Sequence, residues 1–558
     1  MNTTVKFMCS ALVLAAAAAR AESFDVVVYG ATPAGITAVV QAKRMGKKVV
    51  LLEPTDRIGG MTTGGLGHTD SGNQSAFGGL ARRFYEDVAR HYADDRAWTR
   101  QRRSDYEYFG QSADDGRADT MWSFEPSAAL DILNGWEKRE GLDVRRRERL
   151  DRAPGRTVVD EQTGKIVSLT TESGKVYSGK VFIDATYEGD LMAAAGVTYV
   201  VGRESNAKYG EHINGVQRAL ATKHQFVDGV SAYVKEGDPS SGLLPGVELD
   251  VPLADGDGDD RVQAYCFRMC LTDVPENRIP FRRPDGYREL DYELLIRNLQ
   301  KSYALGLTND WAQGLPWINA QMPNRKTDTN NRLGFSTDFI GQNHRYPEAS
   351  YAERSAIEAS HLRYQQGLMW TLANHPRVPE FYRREVSRWG TCRDEFVGER
   401  GDGWQNQIYV RESRRMVGSY VMTEHNCRGI RKAPHPIAMG AYMMDSHHVR
   451  RYVDSRGFVR NEGDVQVGAA FGGERFAPYP IDYGALVPKR GECPNLIVPV
   501  CVSASHVAFG SIRMEPVFFA LGQAAGTAAA LAIDDGEAVQ DVDYARLRAR
   551  LLRDGQVL

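Results

Sequence analysis

Cysteine is scarce, with 7 in 558 residues. Cys9 lies in an N-terminal leader, and the other six are Cys266, Cys270, Cys392, Cys427, Cys493 and Cys501. These form no quartet of the kind that holds zinc or an iron–sulfur cluster, so no metal is expected. An even six allows disulfides in an oxidising compartment, but too few for a disulfide scaffold and with no readable connectivity. Excess charge is missing as well: 69 Lys+Arg against 72 Asp+Glu leave a net charge of −3. A nucleic-acid partner, which calls for a basic face, is therefore not expected. No uninterrupted apolar run reaches the ~18 residues of a membrane span, so none is expected once the leader is removed. Hydrophobic residues at 42% and charged residues at 25% exclude a disordered, collagen-like or coiled-coil chain.

Met1 to Ala21 has the pattern of a secretory signal: Lys6, an apolar run from Ala11 to Ala19, and the small-x-small site Ala19-Arg20-Ala21. The expectation is a periplasmic or secreted protein.

Phe24 to Tyr29 is a β-branched strand, followed at once by Gly30-Ala31-Thr32-Pro33-Ala34-Gly35 and a helical pattern through Ile36, Val39, Val40 and Met45. Lys48 to Glu53 is a second strand ending on an acid 23 residues after the first glycine. This is the βαβ fingerprint of a Rossmann-type dinucleotide site. Gly30 permits the tight turn, Gly35 allows close packing of helix on strand, and Pro33 suits the first helical turn. The helix N-terminus meets the pyrophosphate, and Glu53 accepts from the ribose hydroxyls. Thr32 replaces the middle glycine and sets a side chain where the pyrophosphate approaches.

From Gly59-Gly60-Met61 to Gly79 the chain is dense in glycine, as suits backbone lying against a flat ligand. Helices are predicted over 80–91 and 126–139, a strand at Val144, a hairpin over 166–171 and 176–178, and a strand Val181-Phe182-Ile183. The last leads into Asp184-Ala185-Thr186-Tyr187-Glu188-Gly189-Asp190. The middle, 204–400, has no repeat. Its acidic run Asp255 to Asp260 lacks EF-hand spacing and is taken as a solvated loop. Trp311, Trp317, Asn319, Arg325, Asn330, Asn331 and His344 offer flat faces and directional donors of the sort a sugar-like ligand needs. Near the C-terminus the strand 495–500 leads through His506 and Arg513-Met514-Glu515-Pro516 into a Gly/Ala-rich helix to about Ile533.

Glu53-x5-Gly59-Gly60 resembles the extended fingerprint of FAD enzymes of the glutathione-reductase superfamily. More widely, Gly30–Gly35, 59–67, 184–203, 411–418 and 480–530 resemble a family of FAD-dependent oxidoreductases, often secreted and sometimes labelled "xanthan lyase". The resemblance implies an α/β fold: a Rossmann-type, glutathione-reductase-like FAD-binding domain with an inserted mixed α+β substrate domain. The expected division is signal 1–21, FAD-binding domain 22–203, substrate region 204–400, return to the FAD-binding domain 401–535, and a tail 536–558. FAD is the expected cofactor, contacted by Gly30, Thr32, Pro33, Ala34, Gly35, Glu53, Gly59, Gly60, Met61, Val144, Ala185, Arg513, Glu515 and Pro516.

Oxidation of an alcohol by flavin needs a base for the hydroxyl proton. His506, ahead of the flavin-facing helix, is the first candidate, or a histidine satisfied by backbone. His68 is the second, with covalent flavin attachment a further role. Arg513 and Glu515 fix the flavin or pair with each other, and Arg411, Arg414 and Arg415 orient a substrate or form an exposed charged face. The expected activity is hydride transfer between a small polar molecule or glycan and flavin, with an extracytoplasmic electron acceptor. The alternatives are redox-neutral, nucleotide-dependent glycoside cleavage, and polysaccharide binding or cleavage with a vestigial nucleotide site.

Overall fold

The computed structural model describes residues 21–107, 119–309, 314–467 and 477–558. The predicted signal up to Arg20, and Trp311, lie outside them. Strand β1 (Glu22–Tyr29) enters the core with its second half fully buried, as its Val-Val-Val run dictates. It is followed by helix α1 (Pro33–Arg44) and strand β2 (Val49–Glu53). β1 pairs in parallel with β2 on one side and with β6 (Val176–Asp184) on the other. β3 (Val144–Arg146) extends the parallel sheet beyond β2, while β5 (Ile166–Thr170) and β4 (Thr157–Val159) add an antiparallel edge. β6 is one nine-residue strand where the sequence predicts a hairpin arm and a separate strand. Its first half pairs with β5 and its end with a late strand, Leu496–Ile497, so a single strand satisfies both partners.

Helix α2 (Gly60–Thr63) is a single turn after β2; α3 (Gly79–Tyr92) and α4 (Pro126–Glu140) match the predicted pair. The middle segment builds a five-stranded antiparallel sheet from β8 (Met269–Thr272), β9 (Arg278–Ile279), β10 (Trp317–Met322), β11 (Lys326–Asn331) and β12 (Gly390–Cys392), in the order β9-β12-β8-β11-β10. Helix α5 (Glu293–Ala304) and helix α6 (Tyr351–Asn374) accompany it. β13 (Arg450–Val453) pairs with β14 (Val459–Glu462) on one side and with β7 (Glu248–Leu249) of the middle segment on the other. After the middle segment the chain rejoins the parallel sheet only at β15 (Leu496–Ile497).

His506 opens a helix, α7 (His506–Ile512), rather than ending a loop, because Ser505 caps it through the amide of Ala508. α8 (Glu515–Asp535) follows directly. It is long and apolar enough to cross a membrane, but it is buried in the core against α1. A Cβ on Gly522 would lie 2.1 Å from the carbonyl oxygen of Ala34, and one on Gly526 2.3 Å from that of Ala38. Thr37 Oγ1 adds a 2.8 Å bond to Phe519 O across the same seam. One apolar cluster runs from Val26 in β1 through Leu521 in α8 to Leu294 in α5, so both regions share a core.

Candidate functional site: a nucleotide cleft and an adjoining polar cavity

At the C-terminal ends of β1, β2 and β6 the chain opens a cleft lined by Gly30, Thr32, Glu53, Gly60, Tyr187 and Glu188. Gly30 holds φ +99°, and a Cβ there would lie 2.9 Å from the carbonyl carbon of Ala185. Glu53 braces this turn, with Oε2 accepting from Ala31 N at 2.9 Å and Oε1 from Thr55 N at 2.8 Å. Burial raises its carboxyl above the ordinary range. Thr32 does not block the helix N-terminus, because its hydroxyl donates to Ala185 O at 2.7 Å and accepts from Gly35 N. Gly59 N reaches Ala31 O at 2.7 Å, which clamps the second glycine pair onto the first turn. Gly60 passes so close to Tyr187 that a Cβ would meet its hydroxyl at 2.4 Å. Met61 N donates to that same hydroxyl, and Tyr187 donates on to Glu515 Oε1 at 2.9 Å.

These residues fit a dinucleotide. A helix N-terminus faces the cleft, two glycines leave room where a side chain would clash, and a carboxylate stands at the end of β2. Pro33 begins α1, while Ala34 packs on Gly522 of α8. Ala185 forms the floor under Gly30, and Pro516 is buried in the first turn of α8. Val144 departs from expectation: it pairs with Leu51 at the sheet edge and does not line the cleft, whereas Arg149 does.

A second cavity, of about 350 Å³, lies beyond. The same segments line both spaces. Gly60 faces the cleft and Asp70 the cavity along one glycine-rich stretch; Ile408 faces the first and its neighbour Tyr409 the second. Arg513 lines the cavity, two residues from the Glu515 that holds Tyr187. The predicted Arg513–Glu515 pair does not form. Arg513 instead donates to Tyr409 Oη at 2.6 Å and pairs with Asp445 at 3.1 Å. Glu515 accepts from Thr62 Oγ1 at 2.7 Å, and burial pushes its carboxyl up to about 7.

The cavity also holds an imidazole–carboxylate pair that the sequence did not single out. His447 Nδ1 lies 2.7 Å from Asp338 Oδ2, and Asp338 is ion-paired to Arg411 at 2.9 Å. His447 lines the cavity, with Nε2 3.8 Å from Asp445 Oδ2. Burial, then Arg411, hold its pKa down to about 3, against the opposing pull of Asp338. In the rest of the lining, Arg268 is ion-paired to Asp328, Asp70 and Lys223 bring one charge of each sign, and Gln225, Asn330, Asn331 and Gln466 add neutral donors and acceptors.

Neither predicted histidine lines either space. His506 is buried, with Nδ1 2.7 Å from Glu412 Oε2. Glu412 accepts from Gln263 Nε2, and Gln263 Oε1 accepts from His447 N at 3.1 Å, so His506 sits at the far end of that chain. His68 Nδ1 is 2.9 Å from Ser123 Oγ, and its amide donates to Asp328. Arg411, Arg414 and Arg415 form neither an exposed face nor a cavity wall. All three are buried, paired with Asp338, Asp190 and Glu204 respectively. Only two adjacent histidines, 447 and 448, in a chain with 12 could have drawn attention to the cavity.

No curated protein matches the chain. Among solved structures it is similar to the myxobacterial chondrochloren halogenase CndH, described as a variant of FAD-dependent halogenases, at 18% identity over 33% of this chain and 41% of that one, TM-score 0.24. It is also similar to the OxyS anhydrotetracycline hydroxylase from Streptomyces rimosus, at 16% identity over 36% and 41% of the two chains, TM-score 0.22. A flavin monooxygenase mutant from Stenotrophomonas maltophilia matches at 15% identity over 29% of this chain and 38% of its own, TM-score 0.18. Each match spans less than half of the solved chain. The model of the family described as FAD dependent oxidoreductase, by contrast, matches residues 25–551. The chain belongs to that family of FAD-dependent oxidoreductases.

Proposed function

We propose that this oxidoreductase acts outside the cytoplasm on a small, neutral, hydroxyl-bearing substrate of carbohydrate type seated in the polar cavity, with hydride passing between it and the flavin. The observation that carries the reading is His447 on the cavity wall, backed by the buried carboxylate of Asp338. Bound FAD supplies a two-electron acceptor for the substrate's hydride. Gly30, Thr32, Gly35, Glu53, Gly59 and Gly60 hold it, and Glu515 and Tyr187 fix the α2 turn beside it. With Asp338 accepting from Nδ1, His447 presents an unprotonated Nε2 to the cavity. That nitrogen takes the hydroxyl proton as the carbon–hydrogen bond breaks. Asp338 offsets part of the penalty that burial and Arg411 place on the imidazolium, and Arg411 keeps Asp338 ionised. Asn330, Asn331, Gln225 and Gln466 orient neutral hydroxyls, while the matched pairs Arg268–Asp328 and Arg513–Asp445 leave little net charge to attract an ion. His506 acts as a positioning residue through Glu412 and Gln263.

The test is an absorbance spectrum of the purified mature protein from roughly 300 to 600 nm, before and after heating, then anaerobic bleaching by a panel of sugars and polyols. Releasable FAD bleached by a neutral sugar supports the reading. Bands that remain with the precipitate point to covalent attachment, with His68 the first residue to map. Glycan cleavage without bleaching or an added acceptor moves the reaction to redox-neutral cleavage. His447→Gln should keep its flavin and lower the bleaching rate by about 10²–10⁴ with little change in substrate affinity. An unchanged rate removes His447 from the chemistry.

A further inference from the structure

Among the described residues every buried arginine but one has a carboxylate partner: Arg82, Arg203, Arg268, Arg297, Arg354, Arg411, Arg414, Arg415, Arg450 and Arg513 all form ion pairs. The exception is Arg451 in β13, which is 5% exposed. Its Nε donates to Asn461 Oδ1 at 3.1 Å and its Nη2 to Gly334 O at 2.8 Å. Nη1 has no partner among the described residues. The rings of Phe226 and Phe335 lie 5.2 and 5.0 Å from the guanidinium carbon. Burial lowers the group's pKa to about 10, and no carboxylate offsets it, so the side chain stays charged at neutral pH. A buried charge with no counterion is costly to keep, and the natural remedy is an anion supplied from outside.

Arg451 lines a groove of about 720 Å³, large enough for a one- or two-ring ligand. Its walls are aromatic: Phe339 stacks on Tyr364 at 4.0 Å, and Tyr287 on Tyr292 at 5.1 Å. Phe339 is half-buried and stacks on Tyr364, which leaves part of its ring to a ligand, whereas Tyr287 is already covered by Tyr292 and by Arg283, 4.8 Å from its centroid. The rim carries Arg288 paired with Asp291, exposed Arg363 and exposed Asp285, close to balance without Arg451. None of these residues lines the nucleotide cleft or the polar cavity.

We infer that this groove is a second ligand site, separate from the flavin site, for a ring-bearing organic acid whose carboxylate pairs with Arg451 and whose ring face lies on Phe339, with Tyr287 at its edge. A charge-assisted bond to a fixed guanidinium selects the acid over its neutral counterpart, and the aromatic faces select a ring over a short aliphatic acid. The ring is that of a sugar acid or of an aromatic acid, and the two are separable by experiment.

Glucuronate and benzoate, with glucose and benzamide as neutral counterparts, would be titrated calorimetrically into the FAD-loaded protein and into Arg451→Gln. At least one acid is expected to bind, about tenfold or more tightly than its neutral counterpart, and Arg451→Gln to lose that preference with its flavin spectrum unchanged. Glucuronate alone binding assigns the sugar acid; benzoate alone assigns the aromatic one. In the absence of either acid, Arg451→Met should melt no lower than the parent, since it removes an unpaired buried charge. Failure of both acids to bind, or equal binding by Arg451→Gln, overturns the inference. So does a markedly lower melting temperature of Arg451→Met together with unchanged acid binding. None of these outcomes depends on the reaction at the flavin.

Discussion

Thr32 stands where the dinucleotide fingerprint usually has glycine, and its hydroxyl spends both of its bonding directions on the protein, one on Ala185 O and one on the amide of Gly35. Thr32→Ala should therefore cost about 1 kcal/mol of stability, the value of a lost N-cap, and loosen the turn that receives the pyrophosphate. Chemical denaturation and FAD titration would check both, and a variant that binds FAD equally well would show that the tie to Ala185 is dispensable. Glu515 is the other informative residue. Burial raises its carboxyl from 4.5 to about 7. A carboxyl whose folded-state pKa is raised contributes stability that is fully present below about pH 4.5 and is lost as pH rises through about 7. Glu515→Gln should thus gain on the order of 2 kcal/mol relative to the parent at about pH 8, and the difference should vanish near about pH 4. Glu188, also pushed up to about 7 by burial, remains in the variant and keeps part of the slope. Melting temperatures across that range decide it, and a parallel pair of curves would rule the assignment out.

Helix α8 was legible as small and apolar, but its role depends on what it touches. Gly522 and Gly526 bring it into backbone contact with α1, the helix whose first turn faces the nucleotide cleft. Since a Cβ on Gly526 would lie 2.3 Å from Ala38 O, the two helices must separate to accept one. Gly526→Ala should cost about 2 kcal/mol or more and weaken FAD binding, because α1 moves with the seam. Denaturation midpoints and flavin content per chain would measure the effect. An unperturbed variant would mean that the seam can slide. Predicted elements failed where one strand serves two partners, as β6 does, and where a short helix rests on a cap, as α7 does on Ser505. Neither feature leaves a periodicity in the sequence.

At the scale of the whole molecule, buried ion pairs tie the parallel-sheet region to the segments that follow it. Asp190, just after β6, accepts from Arg354 of α6 at 2.6 Å and from Arg414 at 2.8 Å. Burial pushes its carboxyl up, but Arg354, Arg152 and Arg414 outweigh that and hold it below the usual range. Its contribution is therefore present above about pH 4 and is lost as pH falls below it. Asp190→Asn leaves Arg354 without its carboxylate and should destabilise by roughly 3–5 kcal/mol, the cost of a broken buried pair. Loss of a single cooperative transition in calorimetry would show that the two regions had come apart. A loss below about 1 kcal/mol would assign the tie to the shared apolar core instead.

Local chemistry reached the nucleotide half directly from sequence. A β-branched strand, a glycine turn, a helix and an acid at fixed spacing have one low-energy arrangement, so Gly30, Gly35, Glu53 and the Gly59–Gly60 pair were readable in order. The polar cavity was not readable, because its residues come from positions 70, 224, 268, 330, 409, 447 and 513 and meet only when the antiparallel sheet and β13 fold onto the glycine-rich stretch. A histidine 109 residues from its aspartate carries no mark of the partnership. Nor does a run of arginines reveal whether its charges face water or carboxylates. Sequence determined the strand–turn–helix unit and its glycine turn; tertiary structure decided which distant side chains meet beside it, because pairing across the fold depends on distances that no local pattern encodes.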